Sequence, residues 1–423
     1  MILISRCLRQ IDALNTKHSL SARQAKALVR KLVAGFRSIG VQQGDCICMS
    51  SFNDIHYPIS FQGVVGAGAV FTGVNPAYTL YELAHDMKIA RVKYILTQSE
   101  LLDNVLKAAK ELSIPSENII VFNPNGEKAP SGFNQWNDLL QQGESDWVRF
   151  NSLETSTKKP AARLFSSGTT GLPKATDLSH YNLIAEHTLF LETNPRPWKS
   201  SRLLCLPFFH AATAPIAFTS TLKFGDKGYV APRFDPELWF KAHEQFSLTD
   251  LVVVPPIAIM AINSPLNKKY SLNSVKIAHV GAAPLDKVPQ ARMQKLIGEE
   301  VPFTQVWGMT ETSCVATRFP YPEKDDTGSV GRPLPNLDLK LVDENGKDIS
   351  AYGVRGELCI RGPTVVRGYF ENPEANKRDW DEDGYFHTGD IAYIEEGTEK
   401  WYIVDRKKVS IEVKFVIPLL TRH

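Results

Sequence analysis

The first clear pattern along the chain is a helical spacing of apolar residues close to its beginning. These residues recur every three or four positions, which predicts an amphipathic α-helix with one buried face. Ser21 stands where an N-cap residue is expected, and Gly40 follows as a stop signal. The apolar positions of this helix are Ala25, Leu28, Val29, Leu32, Val33 and Phe36.

Short apolar, β-branched runs follow this helix and alternate with helix-like stretches. Such alternation is typical of a largely parallel sheet covered by helices. A largely polar stretch, 143–159, interrupts the pattern and is interpreted as a surface link between two lobes, after which the alternation restarts. The predicted strands are 46–49, 94–97, 119–122, 161–165, 202–206, 251–254, 276–280 and 302–305.

The pattern changes from about Thr327 onward. This part is rich in Gly, Asp and Pro, and Asn345-Gly346 is a hairpin signal between two alternating runs. A small antiparallel or barrel-like lobe is therefore expected. The chain as a whole is predicted to be an α/β protein with lobes at about 1–145, 160–326 and 327–404.

Composition and charge exclude several classes of protein. The 423 residues carry a formal net charge of +2 from interspersed signs, without the basic stripe that nucleic acid would require. The six cysteines are scattered, which indicates reduced thiols in an intracellular compartment. The longest apolar stretch, 251–262, is short and broken by two prolines, so no membrane span is expected. With no targeting signal visible, a cytoplasmic protein is predicted.

The most informative segment is the run from Ser166 to Lys174, directly after the predicted strand 161–165. Its glycines permit backbone torsions closed to other residues, its hydroxyls are short donors, and Lys174 brings a positive charge. Such a loop suits a polyphosphate. The common NTPase loop is excluded because Pro173 precedes the lysine and Ala175 follows it. A flexible surface linker is the alternative reading.

This run resembles the phosphate loop of the adenylate-forming superfamily, which includes acyl-CoA synthetases, 4-coumarate-CoA ligases, beetle luciferases and peptide-synthetase adenylation domains. The resemblance extends from about residue 19 to 408. It implies the large N-terminal domain of acyl-CoA synthetase type, with two stacked αβαβα-like sheet lobes and a small β-barrel-like lobe. Further segments that match in order are 281–284, 305–312, 356–363, 385–390 and 404–408.

The resemblance also implies a role for individual residues. Small residues at 281–283 let an adenine lie against backbone, and Trp307 can stack on its other face. Glu311 is a hard ligand suited to Mg²⁺, and Thr310 can donate to the α-phosphate. Taken singly, Trp307 is more often a core residue, and Glu311 and Asp390 are more often solvated loop acids; the order and context of the motifs favour the functional reading. The residues expected to bind ATP are Ser166, Ser167, Gly168, Thr169, Thr170, Gly171, Lys174, Gly281, Ala282, Ala283, Gln305, Trp307, Gly308, Thr310, Asp390 and Arg406.

Two of these nucleotide contacts and one acyl-side residue have specific expected tasks. Asp390 can accept both ribose hydroxyls, and Arg406 can contact ribose or phosphate. His210 ends a run, Leu206 to His210, that resembles the acyl-pocket segment of the family, although a purely structural histidine is the alternative. The expected catalytic residues are therefore Lys174, Thr310, Glu311 and His210.

The activity implied by the resemblance is activation of a small carboxylic acid. The carboxylate attacks the α-phosphate of ATP, pyrophosphate leaves, and the acyl-adenylate passes to a thiol, so that ATP, Mg²⁺ and coenzyme A are the expected cofactors. Two alternatives lie within the family, namely loading of a carrier protein and luciferase-like oxidation. A third alternative is a non-catalytic nucleotide-binding remnant.

The chain departs from the family pattern after its hinge, directly after its phosphate loop, and at its amino end, which is expected to be shorter than in the family. The hinge position falls at Lys408, and residues 409–423 show no counterpart of the smaller C-terminal domain or its catalytic lysine. We therefore expect an AMP-binding N-terminal domain at 1–404, a hinge and aberrant truncated tail at 405–423, and poor turnover. The resemblance also leaves a peroxisomal location open, because full-length members of the family often lie in peroxisomes. Ala175, Thr176 and Asp177 stand where the family has Gly and apolar residues.

Overall fold

The computed structural model describes residues 9–127, 129–166 and 172–407. The strands in this part of the chain are β1 (Arg9–Asp12), β2 (Ser19–Ser21), β3 (Cys46–Ser50), β4 (Val70–Val74), β5 (Val92–Thr97), β6 (Ile119–Val121), β7 (Asn134–Gln135), β8 (Pro160–Ser166), β9 (Lys174–Ser179), β10 (Ser201–Leu204), β11 (Lys227–Val230), β12 (Asp250–Val253), β13 (Ile277–Val280), β14 (Phe303–Gln305), β15 (Trp307–Met309), β16 (Cys314–Arg318), β17 (Arg332–Pro333), β18 (Asp338–Val342), β19 (Gly356–Arg361), β20 (Phe386–Ile394) and β21 (Trp401–Arg406). The α-helices are α1 (Ala22–Ser38), α2 (Tyr57–Gly66), α3 (Leu80–Ile89), α4 (Leu102–Glu111), α5 (Trp136–Leu139), α6 (Leu153–Lys158), α7 (His180–His187), α8 (Thr221–Phe224), α9 (Pro236–Gln245), α10 (Pro255–Asn263), α11 (Lys287–Ile297) and α12 (Pro373–Asp379).

The predicted N-terminal helix is confirmed as α1. The Ser21 hydroxyl accepts a hydrogen bond from the Gln24 N–H, and the Gln24 side chain accepts one from the Ser21 N–H at 3.0 Å. This reciprocal cap satisfies two of the N–H groups that a helix start leaves unpaired. Gly40 has a φ of +87°, the left-handed conformation that ends a helix at low steric cost.

The largest sheet has the order β7-β6-β5-β3-β4-β8-β9, and its neighbours are parallel except β8 and β9. Its central strand β3 is buried on both faces. Ile47 and Met49 pack into the core cluster that contains α1 and α2, while Cys48 packs into the cluster of α3 and α4. Strands covered on both faces carry continuous apolar runs, which is why the sequence revealed them.

Two smaller sheets follow in the middle of the chain. One has the order β10-β11-β1-β2, so the first described strand pairs in parallel with β11. The other is the parallel sheet β12-β13-β14. The predicted strands 202–206, 251–254, 276–280 and 302–305 are thereby confirmed, with ends that differ by one or two residues.

Sheet membership departs from chain order at β8. This strand was expected to open the second lobe, but it pairs in parallel with β4 in the largest sheet. The polar stretch before it is a connection within that sheet: the Val148 N–H donates to the Gly66 carbonyl at 2.8 Å, and α6 leads into β8. Strand pairing is set by tertiary contacts, which local sequence does not encode. The lobe boundaries themselves stay a prediction.

The predicted antiparallel character of the last region is confirmed. Strands β18, β19, β20 and β21 form one antiparallel sheet in chain order. The turn at Asn345-Gly346 closes with a hydrogen bond from the Gly346 N–H to the Asp343 carbonyl at 3.1 Å. None of the helices among the described residues is long and apolar enough to cross a membrane.

Candidate active site

The two ends of the predicted phosphate loop lie side by side. Ser166 ends β8, Lys174 begins β9, and the two residues pair across this antiparallel ladder. Both are buried, with 8% and 7% relative exposure. Residues 167–171, which carry Ser167, Gly168, Thr169, Thr170 and Gly171, lie outside the described residues. The ladder therefore fixes where the loop leaves the sheet and where it returns.

Lys174 is held by two residues from a distant part of the chain. Its Nζ lies 2.9 Å from the Asp379 carboxylate and 4.0 Å from the centre of the Tyr369 ring. Burial raises the pKa of Asp379, but hydrogen bonds from Arg378 and Lys174 outweigh it, and the pKa lies below its usual value. The lysine is thus a charged, partnered cation at the mouth of the loop.

Thr310 and Glu311 lie on a short 3-10 turn, Thr310–Thr312, between β15 and β16. The Thr310 hydroxyl donates to the Phe165 carbonyl at 3.4 Å, which brings this turn to the end of β8. Glu311 is 2% exposed, and Oε1 of its carboxylate accepts a hydrogen bond from the Tyr369 hydroxyl at 2.8 Å. Its Oε2 is buried without a hydrogen-bond partner among the described residues.

An unpartnered buried carboxylate oxygen needs an explanation, because desolvating it without a partner costs free energy. Carboxylate oxygens are preferred ligands of hard divalent cations. The Glu311 carboxylate therefore fits a Mg²⁺ ion, with Oε2 as the available atom. Among the described residues, no cluster of three or more His, Cys, Asp or Glu side chains forms a further candidate metal site.

The predicted adenine-side loop, residues 281–284, presents small side chains to solvent. Ala282 and Ala283 are exposed, and Ala282 has a φ of +70°, a left-handed conformation that is strained for a residue other than glycine. Gln305 anchors the residue that follows this loop, Leu285, by hydrogen bonds. Its side chain accepts from the Leu285 N–H at 3.0 Å and donates to the Leu285 carbonyl at 2.9 Å, so its amide is already engaged within the protein.

Trp307, Asp390 and Arg406 form a second polar cluster. The Trp307 indole N–H donates to Asp390 Oδ2 at 2.8 Å, and Arg406 Nε donates to Oδ1 at 2.8 Å. Trp307 itself is 8% exposed and packs in the core cluster that includes Leu341 and Leu358. Its ring thus serves the core as well as the carboxylate, and stacking on adenine stays a prediction.

Gly308 follows Trp307 at a position that admits no side chain. A Cβ there would lie 1.7 Å from the Cys314 carbonyl oxygen across the β15–β16 ladder. The glycine therefore allows the two strands to approach so that the turn between them, with Thr310 and Glu311, is tightly closed.

The hydrogen bonds that His210 makes with the described residues stay within its own segment, 207–214. Its Nδ1 accepts a hydrogen bond from the Ala212 N–H at 3.1 Å, so the ring is in the neutral form with its proton on Nε2. Cys314 Sγ lies 3.5 Å from the Ala212 carbonyl, which connects this corner to the Glu311 turn indirectly. The expected catalytic role of His210 stays a prediction.

The departure at Asp177 has a structural partner. Asp177 receives a hydrogen bond from the buried Arg163 at 3.2 Å, and the Arg163 guanidinium lies 3.4 Å from the centre of the Phe370 ring. Burial raises the pKa of Asp177, and the charge of Arg163 opposes that shift. The position at which the resemblance predicts an apolar residue therefore carries an ion pair between β8 and β9.

Sequence reasoning missed Tyr369 and Asp379. Tyr369 follows the matched segment 356–363 closely, but no local feature indicates that its hydroxyl reaches Glu311. Asp379 and Lys174 are 205 residues apart in the chain, and nothing in either local sequence marks them as a pair. Only the segment that pairs with β9, where the Phe370 N–H donates to the Ala175 carbonyl at 2.8 Å, brings them together.

The chain matches the family of AMP-binding enzymes over residues 6–370, and it belongs to that family. It is 48% identical over 408 residues to the phenylacetyl-CoA ligase epaB of Aspergillus niger, a match that covers 96% of this chain and 76% of that protein. It is 50% identical over 405 residues to the acyl-CoA synthetase ACTT5 of Alternaria alternata, covering 95% of this chain and 70% of that protein. The predicted class of enzyme, an acid–thiol ligase of acyl-CoA synthetase type, is thereby confirmed.

Solved structures confirm the predicted fold. ATP-bound MatB from Rhodopseudomonas palustris matches with a TM-score of 0.83 at 25% identity, over 95% of this chain and 76% of that chain. The N-terminal domain of FACL13 from Mycobacterium tuberculosis matches with a TM-score of 0.77 at 17% identity, over 94% of this chain and 96% of that one. The fold is that of the large N-terminal domain of adenylate-forming enzymes.

Proposed function

We propose that this chain activates a small carboxylic acid with ATP and that the resulting acyl-adenylate is transferred to the thiol of coenzyme A. The observation that carries the proposal is that Lys174 and Glu311 both contact the Tyr369 side chain, the lysine at its ring and the glutamate at its hydroxyl, beside the two ends of the phosphate loop. A cation and a metal-ligating carboxylate at one place are what a polyphosphate in complex with Mg²⁺ requires.

The chemistry follows from this arrangement. An oxygen of the acid attacks the α-phosphorus of ATP, the bond to the bridging oxygen breaks, and pyrophosphate leaves with the electron pair. Lys174 neutralises phosphate charge, and a Mg²⁺ ion on Glu311 would supply further charge neutralisation. The Thr310 hydroxyl would turn from the Phe165 carbonyl, 3.4 Å away, to donate to the α-phosphate. These groups act by position and charge, which is the main demand of phosphoryl and nucleotidyl transfer.

The remaining predicted residues are proposed for the nucleoside and the acid. Gly281, Ala282 and Ala283 offer a flat, exposed surface for the adenine, with Gln305 holding that loop in place. Asp390, with Arg406, is proposed to bind the ribose. His210 is proposed to border the acyl carboxylate. The loop residues 167–171 are proposed to hold phosphate oxygens.

The relatives direct the choice of acids. Beside the phenylacetyl-CoA ligase, the chain is 32% identical over 438 residues to the nicotinic acid-CoA ligase pyr1 of Aspergillus fumigatus. Both relatives are named for an aromatic acid, and we therefore propose an aromatic acid as the substrate class and the cytosol as the compartment.

The test is acid-dependent exchange of pyrophosphate into ATP over a panel of phenylacetic, cinnamic, nicotinic and medium-chain fatty acids. We expect exchange with one class of acid, and its loss in Lys174→Ala. Lys340→Ala is a matched control, because Lys340 likewise pairs with an aspartate, Asp381, at 2.7 Å and lies 4.2 Å from a tyrosine ring centre. Equal loss in both variants would contradict the role of Lys174.

Adding coenzyme A then separates the alternatives. Formation of an acyl-CoA thioester supports the ligase, whereas exchange without any thioester would favour carrier-protein loading or oxidation. Binding of ATP without exchange for any acid would favour the nucleotide-binding remnant.

A further inference from the structure

The phenol of Tyr369 joins the two groups on which the proposed function depends. The residue is 4% exposed, its hydroxyl donates to Glu311 Oε1 at 2.8 Å, and Lys174 Nζ lies 4.0 Å from the ring centre. One side chain therefore contacts the candidate metal ligand through its hydroxyl and the phosphate-loop lysine through its π face.

The ring is fixed from its own side of the site. The Tyr369 N–H donates to the Asn376 side chain at 2.7 Å, and the Asn376 amide donates back to the Tyr369 carbonyl at 2.9 Å. Trp380 packs edge-on against the ring with 5.3 Å between centroids. Gly368 allows the Asn376 side chain to lie close to the backbone, since a Cβ at Gly368 would lie 2.7 Å from that side chain. The phenol is thus held in place before any ligand arrives.

The hydrogen bond from Tyr369 occupies one oxygen of the Glu311 carboxylate, because the hydroxyl donates to Oε1 at 2.8 Å. That leaves Oε2, which has no hydrogen-bond partner among the described residues, as the oxygen open to a cation.

We propose that Tyr369 is a positioning residue, whose hydroxyl orients the Glu311 carboxylate so that one oxygen is presented to the divalent cation of the nucleotide. This inference rests on the proposed function, because it requires that the site binds ATP with Mg²⁺. Partners of metal ligands commonly act in this way, by fixing the orientation of the ligand before the ion binds.

The test compares Tyr369→Phe with Tyr352→Phe by calorimetric titration of ATP at stepped Mg²⁺ concentrations. Both substitutions remove a phenol that donates to a glutamate, since the Tyr352 hydroxyl lies 2.6 Å from Glu399 on an exposed surface. Loss of a partner of a metal ligand typically weakens metal binding by about 10- to 100-fold. We expect the Mg²⁺ concentration that gives half of the gain in ATP affinity to rise by about 10-fold in Tyr369→Phe and to stay constant in Tyr352→Phe.

The outcomes separate the two proposals. Wild-type protein that gains no ATP affinity with Mg²⁺ would overturn the proposed function and this inference with it. Normal wild-type binding with an unchanged Mg²⁺ requirement in folded Tyr369→Phe would overturn this inference alone.

Asn376→Ala is a second route should Tyr369→Phe fail to fold. It loosens the ring but leaves the hydroxyl in place, so we expect a rise in the Mg²⁺ requirement that is smaller than in Tyr369→Phe. No rise in folded Asn376→Ala would equally overturn the inference.

Discussion

The candidate site contains two buried carboxylates, of Glu311 and Asp390, that differ in how many of their oxygens accept hydrogen bonds. In the lysine–glutamate cluster, formed by Lys174, Glu311, Tyr369 and Asp379, one Glu311 oxygen accepts a hydrogen bond and the other has no partner among the described residues. In the aspartate cluster, formed by Trp307, Asp390 and Arg406, both carboxylate oxygens of Asp390 accept hydrogen bonds. The first cluster is therefore open to a ligand, while the second must exchange a partner to bind one.

The partners of Asp390 indicate which one would exchange. Trp307 is buried in the core, whereas the Arg406 side chain is 46% exposed and can move into solvent at low cost. A ribose would thus take the place of Arg406 on Oδ1, and the indole N–H would keep Oδ2 in position. The lysine–glutamate cluster is instead built to receive charge without rearranging its carboxylate.

The largest expected effect separates function from stability at Glu311. We predict that Glu311→Gln lowers the rate of acid-dependent exchange by about 10²- to 10³-fold, since a preorganised charge is removed. The free energy of unfolding of Glu311→Gln should be unchanged or higher, because an incompletely paired buried carboxylate is replaced by a neutral amide. Exchange kinetics and urea unfolding on the same preparation measure both quantities, and a large loss of stability would contradict the open state of Glu311.

The surroundings of Asp390 predict a dependence of stability on pH. Glu357 accepts from the Gly389 N–H at 3.1 Å and pairs with Lys407 at 2.7 Å. Burial raises the pKa of Glu357, but hydrogen bonds from His387 and Lys407 outweigh it and bring the pKa to about 2, from an ordinary value of 4.5. Because the pKa is lowered on folding, this stabilisation is complete above pH 4.5 and is lost as the pH falls towards 2.

The shift in the pKa of Glu357 corresponds to a stabilisation of at most about 3 kcal/mol. Urea midpoints of the wild type between pH 6 and pH 3 should fall, and Glu357→Gln should flatten that part of the profile. Identical profiles for the two proteins would show that the ionised Glu357 carboxylate contributes no stability.

Asp390 should behave as the reverse of Glu311. In Asp390→Asn the amide cannot accept from both Trp307 and Arg406, so we predict that the free energy of unfolding falls by about 2 kcal/mol. Urea unfolding of Asp390→Asn and of Glu311→Gln compares the two values. Equal stability of the two variants would remove the distinction between the open and the closed carboxylate.

The smallest effect is expected at Asp379. This residue holds Lys174 in the free protein, and a nucleotide must compete with it for the ammonium group. We predict about threefold tighter ATP binding in Asp379→Asn, because a competing charge is removed from the lysine. Asp381→Asn, at the equivalent pair with Lys340, is the control and should leave ATP affinity unchanged; weaker binding in Asp379→Asn would show that the carboxylate supports the nucleotide.

Local patterns predicted the elements of the fold well. The α1 helix and the central strand β3 are fixed by a capping box and by burial on both faces, and both are readable from neighbouring residues. Sheet membership was less accessible. β8 pairs with β4 and β1 with β11, and such pairings depend on contacts between distant segments.

The site shows the same division. Lys174, Glu311 and Asp390 were found because each lies in a segment that resembles a family motif. Their partners were not, because the bonds from Tyr369 to Glu311 and from Lys174 to Asp379 join segments that have no local relation. The hinge at Lys408 and the tail 409–423 lie outside the described residues, as do the loop residues 167–171.

The most direct test of this account is the affinity for ATP measured by calorimetry with and without Mg²⁺ in wild type, Glu311→Gln and Asp390→Asn. We predict that Mg²⁺ strengthens ATP binding in the wild type and in Asp390→Asn, and that this gain disappears in Glu311→Gln. A full Mg²⁺ gain in Glu311→Gln would contradict the assignment of the open carboxylate as the metal ligand.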